Sequence, residues 1–199
     1  MVRVAVGTVV VSLGLSAGVS AGPPGPTYQG DPQAIAEVQA VMQKFLAMPT
    51  WKARMTSTGG GTSGTQTMEY VAPDRFHMVL QGTQASEMYM IGHDVWMRAG
   101  SECQKLPIPQ PAANPREMME HGTDAKIAVT KGAPEPVDGI PARTYILIVD
   151  TQGKQLREKL YVIPSTGLPR RIEVRADQGT TVIDYFDYGA PVTVNNPPC

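Results

Sequence analysis

The sequence is poor in the residue types on which catalytic and metal sites depend. It holds three histidines and two cysteines in 199 residues, and none of them forms the His-x-x-x-His or Cys-x-x-Cys spacing of a zinc site. Ser63 lies in a glycine-rich stretch that lacks both the elbow of a hydrolase nucleophile and the Lys-Ser/Thr of a phosphate-binding loop. The sequence therefore predicts a protein that is not an enzyme and has no metal and no cofactor.

Positive charge and long apolar runs are also lacking. Lys and Arg number 17 against 18 Asp and Glu, for a net charge of −1, so the basic face that nucleic-acid binding needs is absent and no nucleic-acid partner is predicted. Beyond the first residues, no run is long enough to cross a bilayer.

The N-terminus has the pattern of an export signal. Arg3 precedes an apolar stretch over residues 4–15, and Val19, Ser20 and Ala21 form a small-residue cleavage site. Residues 1–21 are predicted to be a signal peptide, 22–30 a flexible linker and 31–199 a single domain. Because no cysteine stands at the cleavage site, we expect a soluble periplasmic protein without a lipid anchor.

The two cysteines are predicted to pair. An exported chain meets an oxidising compartment, where two thiols normally form a structural disulfide. A bridge between Cys103 and Cys199 would tie the C-terminus to the middle of the chain. The alternative, a redox-active pair, lacks the Cys-x-x-Cys spacing that lowers a thiol pKa.

The elements follow from periodicity. Residues 31–48 predict a helix with Asp31 as its cap, Pro32 in its first turn and an apolar stripe at helical spacing. Period-two alternation then predicts strands over 51–56, 65–71, 75–81, 86–91 and 95–99, and again over 126–130, 143–149 and three strands within 160–192. Residues 105–115 are expected to be irregular, 116–121 a short helix and 132–141 a loop. Residues 145–149 are apolar on both sides, which predicts a strand covered on both faces.

Methionine is the feature that stands out among these strands. Methionine side chains are flexible and polarisable, so they suit a surface that accepts guests of variable shape, although they also fill gaps in ordinary cores. Both interpretations stay open, and they are compatible if the helix and a guest share one apolar concavity. The candidate cavity residues are Trp51, Met55, Met68, Phe76, Met78, Leu80, Met88, Met90, Trp96 and Met97.

Four stretches resemble the LolA-like superfamily, which holds the periplasmic lipoprotein carriers and the mycobacterial lipid-binding proteins LppX and LprG. They are YVAPDRF at 70–76, MIGHDVW at 90–96, TGLPRR at 166–171 and YFDYG at 185–189, and they follow the N-terminal helix in the order typical of that group. The resemblance implies an α+β fold, in which a strongly curved, unclosed antiparallel sheet (a half-barrel) wraps around an N-terminal helix and a short lid helix. It also implies an apolar cavity that shields acyl chains in transit.

The resemblance also implies a role for one arginine, and this sequence differs from members of the group in other residues. The carriers of that group hold a lid with an arginine on an early strand, and Arg54 stands at a comparable place, as a candidate for the lid or for a head group. Unlike LppX and LprG, this sequence has no lipidation cysteine. Its methionine-rich strands and two cysteines also differ from the lipoprotein carriers, which leaves free lipid or another amphiphile open as cargo.

These observations predict a periplasmic carrier or receptor that binds a lipid, a lipoprotein acyl chain or a similar amphiphile in an apolar cavity. Its expected partners are that cargo and a membrane-bound delivery or acceptor protein, and a monomer is expected. Two alternatives stay open. One is a protein-interaction module resembling RseB, and the other is a lipid-directed enzyme whose turnover would depend on His77 or His121.

Overall fold

The structure is a computed structural model that describes residues 26–59, 63–81, 85–107, 125–151, 153–176 and 178–197. Within these ranges it contains one helix and thirteen strands. They are β1 (Thr27–Gly30), α1 (Pro32–Leu46), β2 (Thr50–Thr58), β3 (Gly64–Val71), β4 (Arg75–Gln81), β5 (Ser86–Ile91), β6 (Asp94–Ala99), β7 (Glu102–Leu106), β8 (Ala125–Lys131), β9 (Glu135–Val137), β10 (Ile140–Thr151), β11 (Lys154–Ile163), β12 (Leu168–Ala176) and β13 (Gly179–Phe186). The predicted signal peptide and short helix at 116–121 lie outside the described residues.

The strands form one strongly curved sheet that does not close on itself. Its order is β1-β8-β10-β11-β12-β13-β2-β3-β4-β5-β6-β7, with β9 paired to the side of β10. Only the β1–β8 pair is parallel, and β1 and β7 form the two edges. The half-barrel predicted from the resemblance is confirmed. Successive strands pair as a meander from β2 to β7 and again from β10 to β13.

Helix α1 begins where the sequence predicts. The Asp31 carboxylate accepts a hydrogen bond of 2.9 Å from the backbone N–H of Gln33, and Pro32 occupies the first turn. On one side of the helix, the Tyr145 hydroxyl and Lys131 Nζ donate to the Glu37 carboxylate at 2.6 and 2.8 Å. The hydrogen bond from Lys131 is the largest cause that lowers the pKa of Glu37. These bonds fix α1 against the β8–β10 part of the sheet.

Replacing Asp31 by alanine is expected to lower the free energy of unfolding by about 1 kcal/mol, because the first turn loses its cap. Urea unfolding followed by circular dichroism measures the change. The matched control is Asp31→Asn, whose side-chain oxygen still accepts the same hydrogen bond. An equal loss in both variants would contradict the capping role.

We call the face that carries α1 the inner face. The apolar stripe of α1, with Ala34, Val38, Val41 and Phe45, packs into one core cluster with the buried inward residues of the sheet. Alternation along each strand sends the other residues to the outer face. The core is therefore the concave side of the sheet.

Three short strands correct the expectations from the sequence. Thr27–Gly30, predicted to be linker, forms β1 beside β8. Lys105 and Leu106, expected to be irregular, belong to β7, and β9 lies inside the predicted loop at 132–141. Each of these strands has three to five residues, too few to show a period of its own. They form by pairing with β8, β6 and β10.

The strand with apolar residues on both sides is also corrected. Tyr145, Leu147 and Val149 are buried on the inner face, as the core requires. Ile146 and Ile148 point to the outer face and are only half-buried. Strand β10 thus lies third from one edge of the sheet and is covered on one face, and the predicted cover on both faces is wrong.

Candidate functional site

The inner face of β3–β6 carries a row of four methionines, one from each strand. The antiparallel register places Met68 opposite Met78, Met78 opposite Met88, and Met88 opposite Met97. Side chains at directly opposed positions contact one another across the sheet. We call Met68, Met78, Met88 and Met97 the methionine row.

Apolar residues extend this surface on both sides of the row. One neighbouring row runs from Trp51 through Tyr70, Phe76 and Met90 to Val95, and the other includes Met55 and Leu80. Nine of the ten predicted cavity residues thus share the inner face: Trp51, Met55, Met68, Phe76, Met78, Leu80, Met88, Met90 and Met97. That these residues share one face follows from the alternation of side chains along each strand.

Helix α1 covers only part of this face. Its contacts with strands are made with β1, β8 and β12, and Phe45 reaches Trp51 and Tyr185 with ring centroids 5.4 and 5.1 Å apart. Met78, Met88 and Met97 remain half-buried, while Met68, closer to α1, is buried. Within the described residues, α1 is the one helix, so most of the methionine row lies beyond its reach.

Trp51 is the point where α1, β2 and their neighbours meet. Its ring stacks on Tyr70 at 5.2 Å and makes edge contacts with Tyr185 at 5.5 Å and Phe76 at 6.0 Å. It is 4% exposed. This aromatic cluster closes the inner face at the C-terminal end of α1.

Two predicted residues lie on the opposite face. Trp96 stands between Val95 and Met97, which both point inward, so its ring is on the outer face with Lys105 Nζ 5.5 Å from the ring centroid. Arg54 stands between the inward Ala53 and Met55 and is exposed on the outer face. The placement of Trp96 in the cavity is therefore wrong, and Arg54 does not face the core side, where a guest would lie.

The outer face of β3–β6 holds a charged network that includes His77. His77 lies between two carboxylates, with Nε2 3.3 Å from Glu87 and Nδ1 3.7 Å from Glu69, and its ring stacks on Tyr89 at 4.4 Å. The Tyr89 hydroxyl donates to Glu87 and is the largest cause that lowers the pKa of this carboxyl. Arg98 completes the network 3.6 Å from Glu87. These contacts join neighbouring strands on the side away from the methionine row.

The C-terminal segment crosses the same outer face. The Thr50 hydroxyl donates to the Ala190 carbonyl at 2.7 Å, and Arg75 Nη1 donates to the Val194 carbonyl at 2.8 Å. The chain therefore runs from β2 to β4 in the direction of β7, which carries Cys103. No described cysteine is a free thiol, but Cys199 lies outside the described residues, so its pairing with Cys103 stays a prediction.

Glu158 is a buried carboxyl that the sequence analysis did not single out. It lies on the inner face of β11, opposite Leu147 and Val174, and is 4% exposed. Burial raises its pKa to about 7. The signal was present in the sequence, because Leu156, Leu160 and Val162 set the apolar phase of this strand and Glu158 shares it.

Comparisons with known structures give the fold. The chain is similar to the Mycobacterium tuberculosis lipoprotein LppX, with 13% identity and a TM-score of 0.64 over 83% of this chain and 100% of LppX. It is also similar to LprF from Mycobacterium bovis, with 15% identity and a TM-score of 0.58 over 84% of this chain and 98% of LprF. MucB gives 13% identity and a TM-score of 0.51 over 87% of this chain and 62% of MucB. No protein-family model and no curated protein matches the sequence.

The chain thus has the LolA-like fold that its sequence motifs predict. LppX is also one of the proteins named above for the resemblance of the sequence. In the part of the chain that the structure describes, no helix is long and apolar enough to cross a membrane. No three His, Cys, Asp or Glu residues of this part are grouped so that they could hold a metal ion. The chemistry that the inner face offers is mainly apolar contact, and Glu158 is a buried charged residue on it.

Proposed function

We propose that this protein is an exported, periplasmic carrier or receptor for a lipid-like amphiphile. The apolar part of the guest lies on the inner face of β3–β6, against the methionine row. The observation that carries the proposal is that this row lies inside a curved sheet, is apolar, and extends beyond the reach of α1.

The physical argument is the free energy of covering that surface. Burial of apolar area gains roughly 25 cal/mol per Å², so half-buried methionines on a concave face favour an apolar guest. Unbranched thioether side chains adapt to guests of different shape at little cost. The fold shared with the lipoproteins LppX and LprF supports this proposal, as does the resemblance of the motifs to lipid-binding proteins.

Export and the disulfide belong to the same proposal. The pattern of residues 1–21 supports delivery to an oxidising compartment, and the path of the C-terminal segment over β2 and β4 supports a bridge from Cys199 to Cys103. Mass spectrometry of the protein purified from its own compartment, without reduction, tests the cleavage site, the disulfide and a bound guest together. A mass that corresponds to an empty chain, with no binding of fluorescent acyl probes, would contradict the carrier function.

A charge placed in the methionine row is expected to weaken guest binding. Met78→Lys should lower the affinity for a fluorescent acyl probe by about tenfold or more, because an ammonium group must be desolvated where the guest lies. Fluorescence titration measures the affinity, and circular dichroism verifies the fold. Half-burial of Met78 leaves the new lysine room to reach solvent, so the variant should fold.

Val79→Lys is the matched control for this experiment. Val79 is the next residue of β4, points to the outer face and lies directly opposite Glu87, so a lysine there meets an opposite charge. The control should bind the probe as the unchanged protein does, within about twofold. Equal weakening in the two variants would show that the guest does not lie on the inner face.

If the purified protein carries a bound envelope protein and no small guest, the protein-interaction module would be the favoured function.

A further inference from the structure

Glu158 and Tyr185 are two nearly buried polar residues of the sheet. Neither the Glu158 carboxyl nor the Tyr185 hydroxyl makes a hydrogen bond or ion pair within the described part of the chain. In that part, no polar side-chain atom is both sealed from solvent and without a partner. The two residues are only 4% and 7% exposed, and their polar atoms therefore lie within that small exposed fraction.

The two groups are close enough to influence each other. The charge of Glu158 adds to burial in raising the pKa of Tyr185, and burial alone raises the pKa of Glu158 to about 7. An unpaired buried carboxyl costs free energy, and native proteins place few such groups without a partner. A partner supplied by a bound molecule accounts for a carboxyl kept at this position.

Further polar groups lie along the same transverse row of the inner face. Glu158 is opposite Val174, which is opposite Thr181, and Thr181 is opposite Ser57. The hydroxyls of Ser57 and Thr181 are 3.1 Å apart, and Thr181 is 9% exposed. Polar side chains thus continue from β11 to β2 on an otherwise apolar face.

The distance to the methionine row suits an elongated guest. Strand β11 is separated from β3 by β12, β13 and β2, and strands lie about 4.8 Å apart. Glu158 is therefore about 19 Å along the curved sheet from Gly64, its counterpart on β3, and Met68 lies four residues further along that strand. A molecule with a polar end at Glu158 can therefore lay an acyl chain toward the methionine row.

We propose that Glu158 forms a polar anchor that binds a hydrogen-bond-donating group, a hydroxyl or an amine, of the guest. This inference rests on the proposed carrier function and narrows its cargo. A free fatty acid does not fit the anchor, because its carboxylate would lie against a second carboxylate in an apolar surrounding.

The test is displacement of bound N-phenyl-naphthylamine by hexadecanol, hexadecylamine and palmitate, which share one chain length. It is made well above pH 7, where Glu158 is ionised, with the unchanged protein, Glu158→Gln and Glu158→Leu. In the unchanged protein the alcohol or the amine should displace the probe at about tenfold lower concentration than palmitate. Glu158→Leu should remove that preference, and Glu158→Gln should retain only a preference for the alcohol.

The outcomes separate the anchor from the carrier function. A preference for the alcohol and not the amine identifies a hydroxyl guest, and a preference for the amine identifies a cationic one. Probe binding without any preference, or a preference that survives in Glu158→Leu, would overturn the anchor while the carrier function stands. Failure of the unchanged protein to bind the probe would overturn both. Glu158→Leu replaces a buried carboxyl by a residue of similar size, so it should fold.

Discussion

Replacing Glu158 by leucine is expected to stabilise the protein by about 3 kcal/mol at pH 8, and by much less at pH 5. Burial raises the pKa of Glu158 from 4.5 to about 7 in the folded protein, and each unit corresponds to about 1.4 kcal/mol. The folded state binds the proton more tightly than the unfolded state. The contribution of Glu158 to the unfolding free energy is therefore most favourable below pH 4.5, and this advantage is lost as the pH rises through about 7.

Urea unfolding of the two proteins at pH 5 and pH 8 measures this difference. Ionisable groups that the two proteins share contribute equally to both and cancel in the comparison. Glu87, whose pKa is lowered by the hydrogen bond from Tyr89, is ionised throughout the window and adds nothing to the change. A pH dependence equal in the two proteins would contradict the burial of an unpaired carboxyl at this position.

Replacing Trp51 by alanine is expected to cost about 3–5 kcal/mol of unfolding free energy, the range for removing a large buried aromatic side chain. Trp51 is 4% exposed and contacts rings from α1, β3, β4 and β13. Its loss leaves a cavity where the helix joins the sheet. Urea unfolding followed by circular dichroism measures the cost.

The second tryptophan supplies a control on the other face. Trp96 lies on the outer face of β6, half-buried beneath Lys105, and its replacement by alanine should cost less than about 1 kcal/mol. The two variants therefore compare one side chain type on the two faces of one sheet. Similar losses in both would show that the assignment of the faces is wrong.

Local patterns were sufficient for most of the fold. Asp31 and Pro32 mark the start of α1, and alternation from Trp51 to Leu80 gives both the strands and the inner face. Gly167, in the turn between β11 and β12, adopts the positive φ of 64° that its position predicts. These elements were predictable because each depends on neighbours in the sequence.

The wrong predictions concern residues whose structure is decided by their position in the sheet. Strands β1 and β7 are too short to show a period, and they become strands because β8 and β6 offer them backbone hydrogen bonds. Trp96 was assigned to the cavity on its apolar character, whereas the alternation of Val95 and Met97 places it outside. The sequence predicts a strand only from residue 160, whereas β11 begins at Lys154, so Glu158 lies outside the predicted strand.

The two edge strands of the sheet bear on the size of the guest that the proposed carrier could take. A closed barrel has a bore set by its strand number and stagger, and it widens only by breaking ladder hydrogen bonds. Strands β1 and β7 have no second partner strand among the described residues. The aperture between them can therefore open or narrow through small changes of twist, with every ladder intact, and under the proposed carrier function this would let one scaffold take guests of different girth.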